Sequence, residues 1–301
     1  MGPGRPRFSA LDLAILALVL LAGLAAYYRI RDGLNYRWDW GAMPQYLLRY
    51  DPAAGRWRAN VLLQGFFMTI GLSIWTMLFA SLIGAGVGFL RLSRHRFRRW
   101  AGTVYVELTR NTPPLVLVFI FYFFIGDQLL PALELERLFP AGAGGGGGGW
   151  LPEWLAPAPG ALVPFISAVL TLSIVEGAYI AEIVRAGIRS IERGQGEAAA
   201  ALGFSRRQRM RHIILPQAWQ QILPPLGGQF ISTIKDSAIV SVISIQELTF
   251  RGMELMSSTY LSFETWITIT GLYFALTFGC SLAVARLEAC VRRRRSRRPP
   301  P

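Results

Sequence analysis

Six apolar runs, each long enough to cross a bilayer as a helix, limit the folds open to this 301-residue chain more than any other feature. They extend from Leu11 to Tyr28, Leu62 to Leu90, Thr112 to Leu130, Leu162 to Ile183, Leu223 to Ile245 and Thr265 to Leu287. A helix rises about 1.5 Å per residue, so about 20 apolar residues cover the hydrocarbon layer. With no water there to satisfy backbone polar groups, only helices and closed barrels span it. The expected fold is all-α: a polytopic membrane protein of about six transmembrane helices. A hydrophobic content of 52% agrees, because a soluble domain of this length could not hide so much apolar surface. Arg5 and Arg7 precede the first run, whose alanine-rich end resembles a signal peptide. The run is long for a cleaved segment, which favours a retained helix.

The net charge of +13 would suit nucleic acid if it covered a soluble face. Instead the arginines cluster at the ends of the apolar runs, where they anchor a chain to a lipid surface, so a nucleic-acid partner is excluded. With the N-terminus inside, the inner side holds Arg5 and Arg7, the cluster Arg91 to Arg99, the stretch Arg185 to Arg211 and the tail Arg292 to Arg298. Arg137 and Arg251 fall outside. The mixed loop from Arg29 to Arg58 opposes this orientation, but four clusters outweigh it. Trp38, Trp40 and Trp57 suit an interfacial belt.

Charges inside spans cost about 2.5–3.5 kcal/mol each, so Glu176, Lys235 and Asp236 are candidates for a solute path. Glu176 lies roughly 10 Å from the inner end of the fourth span and Lys235 roughly 18 Å into the fifth, at about 1.5 Å per residue. A direct pair between them needs tilt or a broken helix. The structural alternative is that each pairs with another helix or a backbone carbonyl. Glu107 and Arg110 precede the third span and suit interface anchoring, with Pro113 and Pro114 at a helix start. Gly84 and Gly88 form a small-xxx-small pair for close helix packing. His95, His212, Cys280 and Cys290 have no metal or disulfide spacing, so no metal site is expected. The glycine run from Ala141 to Gly149 is a linker outside the membrane, with no Gly-Lys-Ser/Thr to bind nucleotide.

The loop between the fourth and fifth spans is the most informative segment. Glu197 to Leu202 reads as a short alanine helix with an acidic first turn, ended by Gly203 in a left-handed conformation. Ser205 and Gln208 have capping-box spacing, and Pro216 closes the segment. A helix this short is marginal alone and draws its stability from docking on a partner.

Glu197, Ala198, Ala199, Gly203, Ile213, Leu215 and Pro216 match every signature position of the EAA loop in permease subunits of ATP-binding-cassette importers. The segments Arg110 to Leu115, Ala178 to Arg185 and Ile231 to Ser237 extend the likeness, from about Leu62 to the end of the last span. They resemble the polar amino acid branch, which serves histidine, arginine, glutamine, glutamate and opines.

The resemblance implies an N-terminal helix and outer segment over 1–60, a permease domain over 61–290 with the EAA loop at 190–216, and a basic tail over 291–301. It implies a second permease subunit, identical or homologous, and two ATP-binding subunits docked on the EAA loops. A periplasmic or lipid-anchored amino acid binding protein completes the machine in a bacterial inner membrane. This chain would be a transport subunit with no ATPase site, binding no cofactor while its partners bind ATP. The region from Asn111 to Phe124 points toward glutamate, aspartate and glutamine. An ion-coupled secondary transporter is the competing reading, and a membrane scaffold a further one.

Overall fold

A computed structural model describes residues 10–33, 36–52, 55–124, 128 and 162–296. The glycine-run linker, Arg5, Arg7, Arg137 and the end of the expected third span lie outside the described residues. The chain divides into two units, Met1–Asp39 and Trp40–Pro301. The first holds α1 (Ala10–Gly33), whose apolar side chains are exposed on every side, as suits a helix with lipid for its solvent.

The second unit opens with α2 (Met43–Leu47) and a hairpin of β1 (Leu48–Asp51) and β2 (Arg56–Ala59). The strands pair antiparallel with Leu48 opposite Ala59 and Asp51 opposite Arg56. Tyr50 and Trp57 meet edge to face, and an Asp51–Arg58 ion pair of 3.1 Å joins the strands. Asn60 then ties the start of the next helix back, bonding the carbonyls of Leu47 and Gln45.

The long helices α3 (Val61–Arg91) and α6 (Leu162–Arg189) pack against each other over much of their length. Glycines permit the approach. A Cβ on Gly84 would lie 2.6 Å from Ile180, and one on Gly88 would lie 2.9 Å from Val184. The expected close packing at this pair is what the structure has. Between the helices, the buried hydroxyls of Ser73 and Ser173 bond the carbonyls of Thr69 and Val169 one turn back, so they cross the apolar layer satisfied.

Between these helices the chain forms α4 (Arg96–Asn111) and, after Pro113, α5 (Pro114–Phe124). After α6 come α7 (Arg193–Ala201), α8 (Arg206–Arg209) and a π turn at Met210–Ile214 that runs directly into α9 (Leu215–Asp236). A tight 3-10 segment at Ser237–Ile243 follows, then α10 (Leu248–Thr259) and α11 (Ser262–Ser296).

Four described helices are long and apolar enough to cross a membrane: Leu11–Arg29, Val61–Arg91, Pro164–Arg189 and Ser262–Ala289. The other two expected spans differ from continuous helices. The third is described only as the apolar helix α5, preceded by the amphipathic α4. The fifth begins at Leu215, eight residues before the expected start, and breaks at Asp236. Pro224 and Pro225 remove two backbone donors inside it, and the polar run Lys235-Asp236-Ser237 falls where lipid would penalise it. Irregular backbone at membrane depth persists where protein covers it, and Ser237, Val240, Ser241 and Ile243 are all buried.

Candidate functional site

The break in the fifth span faces a cavity of about 250 Å³ with five polar lining residues and an apolar wall of Pro114, Val118, Leu172, Val175 and Ile239. Glu176 and Tyr179 reach it from α6, Gln229, Ser232 and Asp236 from α9, and Pro114 from the start of α5. Glu176 is only 2% exposed, and one carboxylate oxygen accepts hydrogen bonds from Gln229 at 2.6 Å and from Thr233 at 3.3 Å. The fourth and fifth spans are thus stitched together by side chains rather than by an ion pair. Two carboxyls, a carboxamide, a phenol and a serine hydroxyl around one small volume can hold a compact polar solute bearing an ammonium or amide group.

Two of the three charged residues expected on a solute path, Glu176 and Asp236, share this cavity. Lys235 does not line it and its side chain is exposed. Successive helical residues point about 100° apart, so a helix that turns Asp236 inward turns Lys235 away. Gln229, Ser232, Thr233 and Asp236 were visible in the sequence as a polar stripe spaced three, four and seven apart, a signal that a search for charges alone passes over.

Glu107 and Arg110 do more than anchor an interface. Arg91, nearly buried at the end of α3, bonds Glu182 of α6 at 2.5 Å and lies 3.8 Å from Glu107 of α4. Arg185 grips the same Glu182 with both ends of its guanidinium fork, its Nε at 3.0 Å. Each cation near this junction therefore has a carboxylate to offset the loss of water. The Arg110 guanidinium lies over the ring of Tyr179, 5.6 Å from its centre, just behind the cavity wall.

A second buried acid sits in the connection after the fifth span. Glu247 caps α10, accepting from the backbone N–H groups of Thr249 and Phe250 and from the hydroxyls of Tyr273 and Thr69. Burial pushes its carboxyl up to about 7, against the pull of those donors. It joins α3, α10 and α11 at a point where a Cβ on Gly65 would lie 3.0 Å from the Leu248 backbone.

In the loop, α7 is longer at its start than expected. It begins at Arg193, so Glu197 sits mid-helix and the first turn carries no acid. Gly194 and Gly196 argue against helix there, yet packing overrides propensity. Arg209 donates to the Gly196 carbonyl at 3.1 Å, Gln217 donates to the Gln195 side chain, and α7 rests on α8 and the π turn. Ala199 faces inward at 1% exposed, while Glu197, Ala198, Gly203 and Leu202 face out. Gly203 has φ +80°, and the N–H groups of Gly203 and Phe204 return to the carbonyls of Ala200 and Ala199, which closes the helix as expected. The Ser205–Gln208 capping box is present with both of its hydrogen bonds. Pro216 departs from the expectation that it closes the segment: it lies at the head of α9, directly after the π turn, and the helical run continues through it. Ile213 lies in the π turn and Leu215 at the head of α9, both half-buried.

Paired long helices, a broken span beside a cavity with buried carboxyls and a compact helical loop together describe a membrane permease subunit. Residues 77–293 match the model for the family described as binding-protein-dependent transport system inner membrane component, and the chain belongs to that family. It is 33% identical over 229 residues to a probable glutamine transporter permease protein of Bacillus subtilis, covering 76% of this chain and 92% of the relative. It is 32% identical to a glutamate/aspartate import permease protein of Escherichia coli, covering 86% and 97% of the two chains. A crystal structure of an amino acid ABC transporter with histidines superposes with a TM-score of 0.64 at 30% identity, covering 84% of this chain and all but 1% of its own. A methionine ABC transporter in an inward-facing conformation shares the fold, with a TM-score of 0.56 at 18% identity.

Proposed function

We propose that this chain is the permease subunit through which an ATP-driven importer of a bacterial inner membrane moves polar amino acids into the cytoplasm. The observation that carries the reading is the cavity at the broken fifth span, where Glu176, Asp236 and Gln229 converge in a volume suited to one small polar molecule. Carboxyls there attract an α-ammonium group, and the Gln229 amide is matched to a side-chain amide or carboxylate. The relatives' names, glutamine and glutamate/aspartate permeases, favour the same solutes. In this reading a second permease subunit completes the path and two partner subunits bind ATP. A separate binding protein delivers the solute. The contact for the ATP-binding subunits is the loop carrying Glu197, Ala198, Ala199, Gly203, Ile213, Leu215 and Pro216, whose exposed face and braced underside suit transmission of movement.

Reconstitution of the permease with its ATP-binding subunits and binding protein in vesicles tests this. Uptake of labelled glutamine or glutamate should require ATP and survive collapse of ion gradients. Uptake that persists without ATP and follows an imposed ion gradient would replace the reading with ion-coupled transport.

A further inference from the structure

We infer that the start of α4 is a binding surface for anionic phospholipid headgroups, and that the lipid it holds sets the position of α4 against the helix that lines the solute cavity. Every residue from Arg94 to Trp100 is exposed, and four of those seven are arginines: Arg94, Arg96, Arg98 and Arg99. No acid occurs from Ser93 to Val106, and none of these arginines has an ion pair among the described residues. The same turn exposes two large aromatic rings, Phe97 at 75% and Trp100 at 62%, in contact with each other.

The arrangement around the helix is amphipathic in a particular sense. At about 100° per residue, Phe97 and Trp100 project from the side opposite Gly102, Val106 and Thr109, the buried residues that seat α4 on its neighbours. Arg96 lies beside Trp100, about 40° round the helix, while Arg98 and Arg99 lie about 100° or more from either ring and are exposed because they precede the residues that seat the helix. Rings that enter the acyl boundary beside long guanidinium side chains that reach the phosphates are the requirements of a helix end lying in the headgroup layer. A soluble acidic protein would complement the arginines but would leave the rings unexplained. Anionic lipid satisfies both. The patch lies at the inner end of α3, and its place on the cytoplasmic leaflet, the one richer in anionic lipid, rests on the orientation adopted for import.

What the lipid holds is connected to the transport path. Tyr105, farther along α4, donates a hydrogen bond to the Ile174 carbonyl of α6. Arg91 lies between Glu107 of α4 and Glu182 of α6. Helix α6 in turn supplies Glu176 and Tyr179 to the cavity. A change in the seat of α4 therefore acts on α6 at two points that flank the residues facing the solute.

The test uses the assembled permease with its ATP-binding subunits, purified in mild detergent. Native mass spectrometry counts the phosphatidylglycerol that stays bound. The same preparations are then placed in vesicles of phosphatidylcholine, with and without phosphatidylglycerol, and ATP-driven glutamine uptake is followed. The charge variant carries Arg94→Gln, Arg96→Gln, Arg98→Gln and Arg99→Gln. The ring variant carries Phe97→Ser and Trp100→Ser. The control carries Arg49→Gln and Arg56→Gln on the hairpin.

Phosphatidylglycerol should stimulate uptake by the parent and by the control. The charge variant should retain less of that lipid, by about fivefold for each arginine removed, and lose the stimulation. The ring variant should retain less as well. Equal lipid retention and equal stimulation in all preparations would overturn the proposal. So would a charge variant that keeps its lipid but sheds the ATP-binding subunits, since the patch would then belong to a protein partner. If the parent takes up nothing in any vesicle, the import reading fails, whereas the lipid count still decides this one.

Discussion

Glu176 keeps its carboxylate in the protein interior by accepting bonds from Gln229 and Thr233, so its replacements divide cleanly by what they preserve. Glu176→Gln retains an acceptor of the same shape and removes the charge. It should leave assembly intact while changing which amino acids compete for uptake, with cationic and zwitterionic solutes losing most; an unchanged competition profile at normal rate would reduce Glu176 to a structural role. Glu247 allows a different test, because its carboxyl is raised from 4.5 to about 7. Between those values the folded chain holds a proton that the unfolded chain has released. Stability from this group is therefore complete below about pH 4.5, falls as pH rises, and levels off above about pH 7. Thermal unfolding in detergent should show that slope, and Glu247→Gln should flatten it. Glu247→Ala should cost about 1–3 kcal/mol for each buried donor left unanswered.

At the scale of elements, the glycines separate packing from backbone conformation. Gly84 and Gly86 lie on the same helix two residues apart, but a Cβ at Gly84 would meet Ile180 and the Gly177 carbonyl, whereas one at Gly86 would project into open space. Gly84→Val should therefore force α3 from α6 and lower the yield of folded protein, at a cost of about 1–3 kcal/mol or more, while Gly86→Val folds normally by size exclusion and unfolding temperature. At Gly203 there is open space, and the constraint is φ +80°. Gly203→Asn should be tolerated and Gly203→Val should disturb the end of α7, weakening ATPase binding or solute-stimulated hydrolysis while membrane insertion stays normal. Normal coupling in Gly203→Val would remove the loop from the mechanism. Much of this loop was legible, because capping and left-handed closure are local chemistry written in Ser205, Gln208 and Gly203. The start of α7 was not, because Arg209 and Gln217 reach back across the loop to hold residues whose own propensity is poor. The break at Asp236 was half-legible: Pro224, Pro225 and the polar run after them weaken a helix, but only the packing of Ser237 to Ile243 shows that an irregular segment can be sheltered there.

For the whole molecule, the distribution of arginines predicts which side each connection occupies. A reporter active only outside the cytoplasm should be silent when fused after position 301 and active when inserted at 144–149; the reverse pattern would invert every assignment of side made above. Apolar length and basic flanks carry that much in the sequence, since they obey the solvent rather than any tertiary contact. The cavity was less visible, because three of its five polar lining residues, Tyr179, Gln229 and Ser232, are uncharged and cost too little in lipid to stand out. From Arg206 to Asp236 the backbone runs through α8, the π turn and α9 without leaving the helical family. The residues that brace the loop and those that line the cavity are therefore set at fixed angles on one common shaft. The π turn accommodates one more residue than an α-helical turn would, which shifts the phase between its two ends by about 100°. Removing a single residue from Met210–Ile214 would leave both ends intact in composition but out of phase, rotating Gln229 and Asp236 by about 100° relative to α8.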